Sequence, residues 1–198
     1  MGENRMNQEK TNEKRLRILK SAANLIAQKG YYGVGLKEIL DVCGIPKGSF
    51  YYFFPGGKNQ LGVEVLNYAY ERMEQGILAS IFPVSDNAEE VFVKMAHHIA
   101  DMLENHKGYA TSLVITFIGI EASDISVEME AAAKQVYQRW IQLYCDKLIA
   151  CGYSLERAKQ IAPQICALIH GMTLSCWIRK DTSDMLALEP AIRALLQS

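Results

Sequence analysis

Lys47-Gly48-Ser49, followed by Tyr51 and Tyr52, is the stretch whose residue types best fit direct contact with a nucleic acid. A lysine can donate to guanine O6 and N7 or to a phosphate, and a serine is small enough to let a helix approach base edges. Gly48 adds no side chain that would hold the backbone away from a groove. Other reactive side chains are scattered. Cys145, Cys151, Cys166 and Cys176 fall late in the chain. A thiol sensor needs a lowered pKa and access, whereas free cysteine is commonly plain core, and the sequence leaves both readings open. His97, His98 and His106 lack a carboxylate or cysteine at a familiar ligand spacing, so no metal site is expected. No nucleophile, base and orienting group are recognisably grouped. Pro55-Gly56-Gly57-Lys58 is too short for a nucleotide-binding loop and lacks the following Ser or Thr. Neither an enzyme nor a cofactor is expected.

The elements that position Lys47 to Tyr52 are readable from local pattern. Leu36, Ile39, Leu40 and Cys43 recur at i, i+3, i+4 and i+7, one face of a helix. Gly44 stands where that helix must stop, and Pro46 suits the start of another, where its missing N–H is not needed. Phe50, Phe53 and Phe54 supply a second buried stripe, with Lys47, Ser49, Tyr51 and Tyr52 left outside. A helix, a tight glycine turn and a short helix of about 47–53 form a helix-turn-helix, whose second helix can lie in a DNA major groove. Lys58 opens the next helix, where its charge opposes the macrodipole by ~0.3–1 kcal/mol. A phosphate bound there would offset that conflict.

The run CGIPKGSFYYFFPGGKNQL resembles the recognition segment of the tetracycline-repressor (TetR) family of bacterial transcription factors, commonly G-V-x-x-G-x-x-Y-x-x-F-x-x-K. Its wording is nearest the branch containing the N-ethylmaleimide-responsive and lincomycin-resistance regulators. The resemblance implies that the hydroxyls of Tyr51 and Tyr52 bond phosphates, and that Lys58 makes a similar contact. The chain departs from the family at Val34-Gly35, where a Ser or Thr usually caps the second helix and touches a phosphate. A backbone N–H at that helix start, or Lys37, is the substitute. The loop before Lys58 is one glycine longer than the common pattern.

Charge distribution agrees with this reading. Residues 1–58 hold ten basic and five acidic residues, a net +5, against −6 for the remainder and −1 overall. A basic first third is the footprint of a nucleic-acid contact. Five cysteines without a CxxC pair, together with a polar N-terminus unlike a signal peptide, point to a reducing cytoplasm and no membrane. The longest apolar stretch noted, Leu113 to Ile120, falls well short of the ~20 residues that span a bilayer.

Taken in order, the first helix is expected over about 11–29, capped by Thr11 or Asn12, with the polar first ten residues frayed. Its Lys14, Arg15, Arg17 and Lys20 can reach a phosphate backbone or form a solvated face. A helix over 58–80 carries two apolar stripes, one through Leu61 and Val65, the other through Leu66, Tyr70, Met73 and Ile77. It therefore reads as the connector between domains 1–57 and 58–198. Asn87 starts a further helix, Tyr109 to Ile120 another, and a long one ends at Cys151-Gly152. Ser154 starts the next, with Pro163 expected to kink or break it. The last, about 183–197, is open to interruption at Pro190.

The expectation is thus an all-α protein of about nine helices, with a three-helix DNA-binding head and a C-terminal ligand-binding and dimerisation bundle. The family resemblance implies an effector pocket in the bundle, with Met95, His98, Met102, Phe117, Trp140, Tyr144, His170 and Trp177 as candidate lining. The ligand would be a small hydrophobic or electrophilic molecule. The resemblance also implies a homodimer through the last two helices. Ala167, Gly171 and Ser175, spaced four apart, would permit the close contact or merely seat a bulky neighbour. The expected function is a ligand-responsive dimeric repressor of a palindromic DNA operator. A helical interaction module without DNA binding would explain the bundle, but not the +5 head with outward Lys47, Tyr51 and Tyr52.

Overall fold

The computed structural model describes residues 2–105 and 111–197, with side chains over 11–105 and 114–197. His106 and Tyr109, named above, lie outside the described residues. Among the described residues there is no strand. The helices are α1 (Gly2–Lys29), α2 (Leu36–Cys43), α3 (Lys47–Phe53), α4 (Gly57–Ser80) and α5 (Ala88–Glu104), then α6 (Thr111–Ile125), α7 (Val127–Ala150) and α8 (Leu155–Arg179). A single turn, α9 (Ser183–Leu186), and α10 (Glu189–Gln197) end the chain, and a 3₁₀ turn, Phe82–Val84, follows α4. Two expectations are corrected here. Thr11 lies inside α1 rather than capping it, so the helix extends through the polar stretch expected to fray. Helix α8 runs through Pro163 without a break. Proline there forfeits one ladder bond, but Ile161, Ala162, Ile165 and Cys166 around it are buried, and that packing outweighs a local cost of ~3 kcal/mol. At Pro190 the interruption is present, with proline in the first turn of α10, where it is tolerated.

The chain forms two compact units, and chain order does not divide them. The first comprises Met1–Ala69 and Val114–Lys134; the second comprises Tyr70–Leu113 and Gln135–Ser198. The division falls partway along α4, the helix expected to connect the two domains.

In the first unit, Ile18, Ala22 and Ile26 of α1 form one buried stripe, and Ile39, Cys43, Phe50 and Phe54 are buried with them in the helix-turn-helix. Gly44 takes φ 62°, the left-handed conformation that glycine adopts without strain. The Gly44 N–H donates to Asp41 O and the Ile45 N–H to Leu40 O, each at 3.2 Å. These are the two bonds of a Schellman cap, and they fix the angle at which α3 departs. Arg15 pairs with Glu64 and lies 5.4 Å from the Phe54 ring centroid, so this basic residue of α1 is a brace within the unit. Gly62 is buried, and a Cβ there would stand 2.4 Å from Met129 Cε and 2.7 Å from the Tyr31 ring. Only glycine allows that approach.

In the second unit, Asn87 caps α5 as its sequence position implies, its Oδ1 accepting from Glu89 N at 2.8 Å. Lys147 is buried and donates to Phe82 O at 2.8 Å and Ser85 O at 2.9 Å, satisfying carbonyls of the turn that follows α4. Tyr70 donates to Glu74 at 2.8 Å, and Arg139 pairs with Glu74 at 3.6 Å while lying 4.1 Å from the Tyr70 ring centroid. By length and composition α8 has one window apolar enough to cross a membrane. A core helix passes the same test, and its Ile161, Ile165 and Ile169 are buried within this unit.

Candidate functional site

Helix α3 has two chemically distinct faces. Phe50 and Phe54, one turn apart, are fully buried and stacked with centroids 5.3 Å apart. Lys47, Gly48 and Ser49 are exposed, as are Tyr51 at 42% and Tyr52 at 75% relative exposure. Such exposure is high for aromatic side chains that their own core could have absorbed. Phe53, expected in the buried stripe, is only half-buried and lies edge-on to Tyr52 at 5.2 Å. Helical spacing explains this: residues 50 and 54 share a face, and 53 flanks it. A Cβ built at Gly48 meets nothing within 4 Å, so nothing inside the protein requires glycine there. Lys47 Nζ lies 6.0 Å from the Tyr51 ring centroid, which places a cation beside a phenol on the open face.

The N-cap position of helix α2 is Gly35, which has extended backbone (φ −82°, ψ 148°) and supplies no side-chain cap. The first-turn N–H groups of an eight-residue helix are thus left without a hydroxyl partner, and Lys37 is exposed beside them. Glu38 of the same turn is paired with Lys29. Lys58 is placed differently from the other candidates. It is half-buried, donates to Tyr31 O at 2.7 Å and lies 4.1 Å from the Tyr31 ring centroid. Burial lowers its pKa, and the Glu121 carboxylate acts in the opposite direction. Among the described residues Tyr31 O is its one hydrogen-bond acceptor, which leaves N–H bonds available to an outside acceptor. The same loop is held by Glu121, which accepts from Tyr31 N at 2.9 Å, and by Tyr32, whose hydroxyl donates to Asp124 O at 2.8 Å. Neither acidic residue was singled out by sequence reasoning, because contacts spanning some ninety residues leave no local signal.

In the second unit, five of the eight candidate pocket residues line one cavity of about 130 Å³: Met95, His98, Met102, Trp140 and Tyr144. Arg72, Met73, Gly76 and Ile77 of α4, with Ile81 and Ile99, complete it. The second apolar stripe of α4 is the signal that could have found Met73 and Ile77. Phe117 belongs to the first unit and is not in the cavity. His170 stands behind the lining, its ring edge-on to Trp140 with centroids 3.8 Å apart. Trp177 is half-buried, with Lys180 Nζ 4.0 Å from its ring centroid. The Tyr144 hydroxyl, whose pKa burial raises, donates to Met95 Sδ at 3.0 Å. Among the described residues, buried Trp140 Nε1 and His170 Nε2 make no hydrogen bond of good geometry, although the Trp140 indole interacts with the Tyr144 hydroxyl.

The cysteines are poorly set up for thiolate chemistry. Cys145, Cys166 and Cys176 are buried and Cys151 is half-buried. Burial pushes all four thiols upward, Cys166 to about 12. Cys166 Sγ lies 3.6 Å from His170 Nδ1, but burial holds His170 down at about 4, so a neutral imidazole faces a protonated thiol. Among the described residues no three His, Cys, Asp or Glu side chains are grouped to hold a metal ion.

Residues 18–65 match the bacterial regulatory proteins of the tetR family, and residues 88–190 match the C-terminal domain of LmrA/YxaF-like transcriptional regulators. The HTH-type transcriptional regulator LmrA of Bacillus subtilis is 33% identical over 187 residues, covering 93% of this chain and 97% of LmrA. The HTH-type transcriptional repressor NemR of Escherichia coli is 26% identical over 165 residues, covering 78% of this chain and 81% of NemR. The crystal structure of reduced E. coli NemR superposes with a TM-score of 0.77 at 22% identity, covering 92% of this chain and 96% of that one, a likeness of fold. Helix-turn-helix geometry, an open α3 face and matches along both parts of the chain agree, and the protein belongs to the TetR family of DNA-binding transcriptional regulators, not to any enzyme family.

Proposed function

We propose that this regulator is a homodimeric repressor that acts in the cytoplasm, binds a palindromic operator through α3, and is released by a small molecule held in the second-unit cavity. The observation that carries the reading is the α3 face. Lys47, Gly48 and Ser49 are the base-reading group, and Tyr51 and Tyr52 donate to flanking phosphates and set register. Lys37 and the uncapped start of α2 meet a further phosphate, with Lys58 contributing its remaining N–H bonds. A seven-residue helix touches too few base pairs to select a genomic site, so two heads about one DNA turn apart are needed. Helices α8 and α10 supply the dimer contact. Ala167 and Gly171 of α8 are exposed, and Ile178 at 69% exposure is a large apolar group left uncovered in the single chain. NemR, among the relatives, is named a repressor, which supports the sign of regulation.

Two trigger chemistries were open in the sequence. The raised, buried thiols favour reversible ligand binding over attack on an electrophile. The ligand acts by binding one head spacing better than the other, since equal affinity for both would shift nothing.

A gel shift with DNA from upstream of the gene, repeated across salt concentrations, tests the proposal. Sequence-selective binding is expected, with log affinity falling linearly with log salt as counterions leave the phosphates. Binding that shows neither selectivity nor a salt slope contradicts it.

A further inference from the structure

The cavity of the second unit has a lopsided polar complement. Its lining includes one permanent cation, Arg72, and no carboxylate. Among the described residues no ion pair or hydrogen bond engages Arg72, and Glu74, two residues on, is held by Tyr70 and Arg139. Trp140 Nε1, a donor with no acceptor capacity, is buried in the same lining; among the described residues it makes no hydrogen bond of good geometry, only an approach to the Tyr144 hydroxyl. A ligand oxygen would give this donor the well-aligned acceptor it lacks. The Tyr144 hydroxyl donates only to a thioether, a weak acceptor that a better one can displace. The remaining surface is largely apolar, with Met73, Ile77, Ile81, Met95 and Met102 prominent.

An amine in this cavity would meet the Arg72 guanidinium with no carboxylate to offset it. A pure hydrocarbon would leave both Arg72 and the Trp140 N–H unused. We infer that the effector is a small apolar monocarboxylate, its anion held by Arg72, its body packed on the methionine and isoleucine side chains, and Trp140 Nε1–H donating to a ligand oxygen. At about 130 Å³ the cavity is of the order of the ~150 Å³ sites that accept benzene, so one ring with a short acid arm is the expected size. This inference rests on the reading of the cavity as the effector site and names the ligand class for it.

The test uses three matched probes on the full-length protein: phenylacetate, phenylacetamide and 2-phenylethylamine. Binding is measured by calorimetry, and operator release by gel shift in parallel. Phenylacetate is expected to bind, with the amide about tenfold weaker or worse, as loss of a charge-assisted contact predicts, and the amine weakest. Arg72→Gln should erase the preference for the acid over the amide. Arg72 is exposed, and unchanged circular dichroism would show that the variant is folded. Trp140→Phe should weaken phenylacetate severalfold while keeping the preference for acid. The inference is overturned if the amide or amine binds as well as the acid, if none of the three binds at millimolar concentration, or if Arg72→Gln leaves the preference intact. Acid-selective binding that fails to release DNA upholds the ligand class and sinks the proposed release mechanism. Release by the neutral amide, with no preference for the acid, does the reverse.

Discussion

The α3 face and the second-unit cavity use opposite ends of the burial scale. On α3 the functional groups are those the core rejected: Tyr51 and Tyr52 stand in solvent while Phe50 and Phe54 fill the interior. In the cavity the groups are shared with the core, and Trp140, Tyr144 and Met95 are buried by the protein itself. Function and stability should therefore separate on α3 and remain entangled in the cavity. That difference also sets what a substitution can report. A change on the α3 face reads DNA contact directly, whereas a change in the cavity needs a fold control.

The largest test of this contrast lies on α3 itself. Phe50→Ala removes a fully buried ring and should cost ~3–5 kcal/mol of stability, seen as a large drop in melting temperature. Tyr52→Ala, two residues away, should stay within ~0.5 kcal/mol of the wild type. Comparable losses from the two would break the proposed division between faces.

Next in size is a pH effect confined to the buried region. The folded pKa of His170, about 4, lies below its ordinary 6.5. Between those values the unfolded chain binds more protons than the folded one, so stability rises with pH through that window. The contribution is complete above pH 6.5 and is lost as pH falls towards 4, on the order of 3 kcal/mol in all. Thermal melts across that range should show this limb flattened in His170→Gln relative to wild type. An unchanged profile would mean that the imidazole is not buried neutral.

Smaller effects distinguish the kinds of DNA contact. Tyr52→Phe should weaken operator binding about fivefold to tenfold, the loss of one hydrogen bond, without altering the salt slope. Lys47→Gln should reduce that slope by about one if the ammonium meets a phosphate. If Lys47 reads guanine instead, relaxed sequence preference at one position will dominate.

The helix-turn-helix was legible in the sequence because its signals are local. Gly44 needs a left-handed backbone, Pro46 needs a helix start, and both act within a few residues, so α2 and α3 begin and end where the pattern places them. Misread features were non-local. Thr11 is a competent cap, yet α1 continues through it. Pro163 is a helix breaker overridden by buried neighbours. The hydrogen bond from Lys58 to Tyr31 O, which leaves the expected role of Lys58 open, had no local signal because its partner lies twenty-seven residues away. Cavity residues fell between these extremes. Large aromatic and sulfur side chains were identifiable as candidates, but Arg72 and Gly76 have no local mark of lining a cavity.

The most direct measurement is operator binding by Gly48→Gln, followed by fluorescence anisotropy alongside a thermal melt. Open space at Gly48 means that the added side chain should leave the melting temperature unchanged or slightly raised, because glycine is the weaker helix former. Operator affinity should fall by at least about tenfold, since the new side chain lies between α3 and the groove. Undiminished affinity in a fully folded variant would contradict the assignment of this face to DNA.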